Sequence, residues 1–344
     1  MSKLKKNLFV YFLLVSMIVI AVRSKEILSC ARESLVLCFT TVIPSLFPFM
    51  VLSSLFVSSY TNDSFKFASF MSNRLFGIRK AANAAFMCGL ICGYPIGAKC
   101  TCELYKAKKI SASEAESLIA YSNNSGPLFV IGAVGTGIFG SVKTGIFLYC
   151  VQLMSALCAA KILKSHTTYS LTPHHENSNT KISFTASVCT SVINIINVCG
   201  FIVFFSVINE LIRPYITLLP SYIQAFAFCV LEITNSIVNI TGLEYSYAIK
   251  LTFVSFALGW SGFSVHMQVK SLLTGTCLSM KKYYITRLLM GTFSALVTYT
   301  VLTRFDSISL LVCTNKIAVA VISFILSFLY IAKKREKAPS LSSV

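Results

Sequence analysis

Charge is what this sequence has least of: 12% of its 344 residues are Asp, Glu, Lys or Arg, about half the share carried by a soluble domain. Acidic residues are the scarcer sign, 12 against 30 basic ones, and the net charge is +18. Histidine occurs only at His166, His174, His175 and His266. No glycine loop of the phosphate-cradling kind is present, which argues against ATP-driven work by this chain. No nucleophile stands in a motif with a base; Cys92 or Ser122 can be set beside His266 on paper only, so the chain is expected not to be an enzyme and to have no catalytic residues. The 13 cysteines are odd in number and lie mostly in apolar runs, against a disulfide framework. Neither Cys88 with Cys92 nor Cys100 with Cys102 has a zinc spacing, and no other ligand type surrounds His174 and His175, so neither metal nor cofactor is expected.

What the chain has is apolar surface. It is 55% hydrophobic with a mean hydropathy of +0.74, the composition of a polytopic, all-α membrane protein. Its cations cluster at the ends of apolar runs, where they set topology and meet anionic lipid headgroups. Membrane lipid is therefore an expected partner and nucleic acid is not, because no basic groove with interleaved aromatics can be traced.

The spacing of apolar stretches yields about ten segments. A basic start leads into an apolar run ending at Arg23 without a small-residue cleavage site, which reads as an uncleaved first span. Residues 34–62 are uncharged but contain Pro44 and Pro48, so this span is expected to be bent or broken. Lys66, Arg74, Arg79 and Lys80 mark a cytoplasmic loop over 61–80. Ser111 or Ser113, with Glu114 and Glu116 behind it, marks a helix start. Further spans are expected near 144–160, 184–208, 215–231, 245–266, 284–303 and 317–332. The organisation is a membrane half over 1–160, a polar linker over 161–183, a second membrane half over 184–332 and a basic cytoplasmic tail over 333–344. The lysines after residue 98 sit on the wrong side for simple alternation, so some segments are expected to be re-entrant.

Four polar or glycine-proline interruptions break these apolar runs: "GYPIGAK" at 93–99, "SNNSGP" at 122–127, "EITNS" at 232–236 and "GWSGFSVHMQ" at 259–268. Residues 86–111 can be laid on 256–279, pairing Gly89 with Gly259 and Gly93 with Gly262, so the halves are read as an internal repeat. Broken segments in both halves point to a midplane solute site, because half-helix N-termini aim free N–H groups and a positive dipole end at an anion. The alternative is packing: glycine lets helices approach, and Ser and Asn bond between them. The site reading names Gly93, Tyr94, Pro95, Gly97, Lys99, Ser122, Asn123, Asn124, Ser125, Gly126, Glu232, Thr234, Asn235, Ser264, His266 and Gln268 as substrate-binding. Lys99 is the expected cation for a substrate carboxylate, with Asn123 and Asn124 as amide donors. Glu232 and His266 are candidates for coupling to protons. Self-association stays open.

These four motifs, in this order, resemble the YlbJ (SpoVV) family of sporulation integral membrane proteins, which carry a Gate or nucleoside-recognition type of membrane domain. The resemblance spans nearly the whole chain. It implies a transporter acting in sporulation, moving dipicolinic acid across the outer forespore membrane; a non-transporting scaffold for the spore envelope is the alternative. The chain departs from the family pattern at Ser236 and Ser261, where glycine is usual.

Overall fold

The computed structural model describes residues 3–59, 73, 82–164 and 182–304. Among them every regular element is a helix, as lipid requires, because a helix satisfies its backbone groups within one segment. The protein is a polytopic membrane protein. Helical stretches at Ser24–Ser59, Val142–Leu163, Phe184–Ile216, Tyr247–Leu272 and Lys281–Arg304 are long and apolar enough to cross a bilayer, and Asn7–Val22, Leu128–Ile138 and Ser221–Leu231 are shorter apolar helices. Lys66, Arg74, Arg79 and Lys80 of the expected loop, the three linker histidines, the last expected span at 317–332 and the basic tail lie outside the described residues.

Helix α1 (Lys3–Val22) precedes α2 (Ser24–Leu37), which passes through a π-helical turn at Cys38–Val42 into α3 (Ile43–Ser59). The disruption expected from Pro44 and Pro48 takes this form. Proline cannot donate to a carbonyl one turn back, and the wider turn directly before Pro44 absorbs the lost bond without ending the helix.

Two broken pairs follow: α4 (Asn83–Ile91) and α5 (Ile96–Lys106) around the 92–95 turn, then α6 (Ala112–Ser122) and a π-helix at Leu128–Ile138 around residues 123–127. Helix α7 (Val142–Lys164) ends this half. The second half runs through α8 (Phe184–Ile216), α9 (Ser221–Leu231) and α10 (Ile233–Thr241) around Glu232, α11 (Tyr247–Trp260) and α12 (Gly262–Leu272) around Ser261, and α13 (Lys281–Arg304). Among the described elements the order long helix, broken pair, broken pair, long helix thus occurs twice. This order sets α4–α5 beside α9–α10, whereas laying 86–111 on 256–279 sets α4–α5 beside α11–α12.

Serines fix three helix starts by accepting from a backbone N–H three residues on: Ser111 from Glu114 at 3.3 Å, Ser183 from Ala186 at 3.1 Å and Ser246 from Ile249 at 3.4 Å. Of the two cap candidates, Ser111 is the one used. Helices α11 and α13 approach backbone to backbone at Gly259 and Gly291, the close packing that small residues permit in lipid. The apolar faces that remain exposed, Leu8, Phe12, Leu288 and Leu296 among them, meet lipid acyl chains.

Candidate functional site

The breaks lean on one another in pairs. Gly93 has φ +87°, and a Cβ there would lie 2.5 Å from the Gly126 nitrogen, so the α4–α5 turn rests on the stretch between α6 and the π-helix. Gly262 has φ +73°, and a Cβ there would lie 3.2 Å from the Ile233 nitrogen and the Leu231 oxygen, so the α11–α12 break rests on the α9–α10 break. Only glycine combines that backbone conformation with that proximity. Across the halves, the Asn123 amide donates to the Tyr283 hydroxyl at 3.3 Å.

A cavity of about 470 Å³ opens where the pairs meet. Of the residues expected from sequence, Tyr94, Gly126, Glu232, Thr234, Asn235 and Gln268 line it. Glu232 is the N-cap of α10 and only 1% exposed. Its carboxylate accepts from the Thr234 N–H at 3.0 Å and the Asn235 N–H at 2.7 Å. The helix N-terminus, where an anion is favoured, is therefore already held by a carboxylate of the chain itself. Asn235 donates from its side chain to the Ser206 hydroxyl at 2.6 Å. Gln268 donates to the Ser264 hydroxyl at 3.3 Å, and its Oε1 has no partner.

Glu33, Thr41 and Ser45 of the α2–α3 stretch also line the cavity, and sequence reasoning missed them. The available signal was Glu33 itself, the last charge before a long uncharged run. Among the described residues no Lys, Arg or His lines the cavity. A second chamber of about 370 Å³ shares Glu33, Asn235 and Val238 with it and extends to Glu26, Glu210 and Arg213.

The remaining expected residues are close by but do not face the cavity. Lys99, the expected substrate-facing cation, does not line the cavity: it is 3% exposed and turned to α3, donating to the Met50 carbonyl at 3.0 Å and to the Ser54 hydroxyl, with Glu103 at 3.5 Å. A buried ammonium takes the partners within its reach, and α5 places Glu103 one turn away on the same face. His266 bonds through Nε2 to the Trp260 carbonyl at 2.8 Å and packs among Trp260, Phe263, Tyr283 and Tyr284. Asn124 donates to the Tyr121 carbonyl at 2.8 Å. Ser122 bonds back to the Leu118 carbonyl at 2.6 Å, and its own carbonyl packs against Gly97. The Ser125 carbonyl accepts from Gln152 at 3.4 Å, Pro95 caps α5, and Ser264 is fully buried.

Sequence reasoning also missed Arg287, which is fully buried in α13. It donates to Asn124 Oδ1 at 3.1 Å, to the Leu258 carbonyl at 3.3 Å and to the Ser261 hydroxyl. Among the described residues no carboxylate lies within ion-pair distance of it. One guanidinium thus ties the 123–127 break of the first half to the Ser261 break of the second, and an ionisable group inside an apolar span was the signal for it. Also among the described residues, no three Cys, His, Asp or Glu side chains are grouped to hold a metal ion.

No family model matches the chain, and no solved structure matches it. Among curated proteins, the sporulation integral membrane protein YlbJ of Bacillus subtilis (strain 168) is 27% identical over 343 residues, with 86% of this chain and 82% of that protein covered. The chain resembles the YlbJ family. The YlbJ likeness is to an integral membrane protein of sporulation, while the Gate or nucleoside-recognition reading rests on the four motifs alone.

Proposed function

We propose that this protein is a membrane transporter for a small organic anion in sporulation, with dipicolinate as the solute and the outer forespore membrane as its place of action. The observation that carries this reading is the cavity of about 470 Å³ bounded by breaks from both halves. Its volume falls within the range of about 300–1,000 Å³ usual for small-molecule sites, and irregular backbone at membrane depth is tolerated where it lines such a space. Sporulation comes from the YlbJ relative, a sporulation integral membrane protein; dipicolinate comes from the family resemblance of the four motifs. The reading is of a Gate-like carrier and not of an enzyme.

The wall chemistry sets a condition on any anion. Its donors are the N–H groups at the start of α10, the Tyr94, Thr41, Ser45 and Thr234 hydroxyls, and the Asn235 and Gln268 amides, while Glu33 and Glu232 contribute carboxylates. An anion must be received by these neutral donors, with protons or a counter-cation offsetting the wall carboxylates. Deleting the gene in the sporulating host is expected to leave dipicolinate synthesis in the mother cell intact and to give spores holding little of it. Normal spore dipicolinate in the deletion strain would refute the reading.

A further inference from the structure

The α10 N-terminus is an anion position with an occupant that belongs to the chain. Glu232 sits there with two backbone donors and no cationic partner among the described residues. In the wall of the same cavity is Gln268, 3% exposed, whose Oε1 has no hydrogen-bond partner among the described residues. An unpaired buried acceptor is costly unless another state supplies its donor. A carboxylate on the solute and the carboxylate of Glu232 cannot share one pair of N–H groups, because like charges at that distance repel strongly.

We infer that Glu232 is a proton-coupled stand-in for the solute: the solute carboxylate takes the Thr234 and Asn235 N–H groups only as Glu232 takes up a proton, and the neutral acid then turns its O–H to Gln268 Oε1. This rests on the transporter reading above. The balance is simple. With the site empty, α10 holds one carboxylate, that of Glu232. With it filled, α10 holds one carboxylate, that of the solute, and one proton has been bound. The charge on the α10 donors is unchanged, and the second carboxylate of dipicolinate is left to the neutral hydroxyl and amide donors of the wall. On the other side of the membrane the solute leaves, the proton leaves, and Glu232 reclaims its cap. Solute and proton therefore travel in the same direction.

The groups facing Glu232 are consistent with this exchange. Glu33 of α2 shares the cavity wall, Tyr94 presents its hydroxyl from the 92–95 turn, and Cys38 of the π-turn lies within its electrostatic reach. From α12, His266 is engaged with the Trp260 carbonyl and Lys270 is exposed. Lys250 of α11 is engaged with the Thr241 carbonyl at the far end of α10, and Arg287 of α13 with Asn124 and Ser261. The Cys199 thiol of α8 pairs with Cys38, and Glu210 and Arg213 of α8 pair with each other at 2.9 Å. The π-helix at 128–138 carries no titratable side chain. None of these supplies a cation that would hold Glu232 ionised once its donors are gone.

The test uses the purified full-length protein, sodium dipicolinate as the probe, and two readouts: binding, and proton uptake from weakly buffered solution. Wild-type protein is expected to take up a proton on binding, with Kd rising about tenfold for each pH unit over the range where Glu232 is ionised in the empty protein. Glu232→Gln, a neutral isostere of the protonated acid, is expected to bind dipicolinate with a pH-independent Kd and without proton uptake. In proteoliposomes its accumulation driven by a pH gradient is expected to fall by far more than its exchange of labelled for unlabelled dipicolinate. A merely structural role for Glu232 would lower exchange and accumulation together. Binding by the wild type without proton uptake, or proton uptake persisting in Glu232→Gln, overturns the inference and leaves the transporter reading standing. Failure of the wild type to bind or move dipicolinate overturns the reading of the solute, and the inference with it.

Discussion

Ser261 has φ +75°, a conformation that costs a residue with a Cβ about 1–2 kcal/mol. Its hydroxyl accepts from Arg287 and so recruits the buried guanidinium. Ser261→Gly is expected to relieve the strain and lose the hydrogen bond, shifting stability by about 1 kcal/mol or less; thermal unfolding in detergent measures it. Arg287→Lys keeps the charge but not the planar fork that serves Asn124, Leu258 and Ser261 together. It is expected to cost about 1.5–3 kcal/mol, one charge-assisted bond, in the same measurement. At Lys99 the pairing with Glu103 directs the test to stability. Lys99→Met and Glu103→Gln are each expected to destabilise, and the double variant by less than their sum, with a coupling of about 0.5–3 kcal/mol. Dipicolinate affinity at matched folded protein should stay at the wild-type value, and a loss confined to affinity would return Lys99 to the site.

At the scale of elements, function follows from how helices stop. Apolar helices with uninterrupted ladders offer a solute nothing to bond, and the free groups here come from the ends created at residues 92–95, 123–127, 232 and 261. Gly93 and Gly262, both at positive φ, are what allow these ends to touch. Gly93→Ala combines left-handed strain of about 1–2 kcal/mol with a Cβ placed 2.5 Å from the Gly126 backbone. The variant is expected to separate the first two breaks and lose dipicolinate binding before it loses its helix content. Circular dichroism alongside binding checks this: unchanged binding would mean that the pair of breaks does not shape the cavity.

For the whole molecule, the division between lipid and interior is the main constraint. Leu8, Phe12, Leu288 and Leu296 are 69, 66, 49 and 60% exposed, whereas Leu251 and Val254 are fully buried. A photoactivated carbene reagent dissolved in the acyl region is expected to label the first four positions and spare the last two. Labelling of Leu251 or Val254 would contradict the packing of α11 against α13. The buried arginine belongs to this scale as well, since it is one of the polar links that hold the two halves together where lipid gives apolar surfaces no reason to associate.

Scarce charge and long apolar runs determined by themselves that the chain is helical and crosses a membrane, because a continuous apolar run of about 20 residues satisfies its backbone groups within one helix, whereas a barrel strand is about half as long and alternates. Glycine, proline, serine and asparagine within those runs located all four breaks, since each frees or competes for backbone hydrogen bonds wherever it stands. Which side chains face one another was decided only by the tertiary structure. Lys99 and Arg287 carry equivalent charges in similar apolar surroundings, and nothing local says that one turns to Glu103 and the other bridges the halves. Glu33 and Thr41 enter the cavity wall from a helix far away in the chain. Side-chain direction at a helix crossing depends on packing contacts between residues distant in sequence, and it is this packing that left the cavity lined by carboxylates and neutral donors, with its cations turned elsewhere.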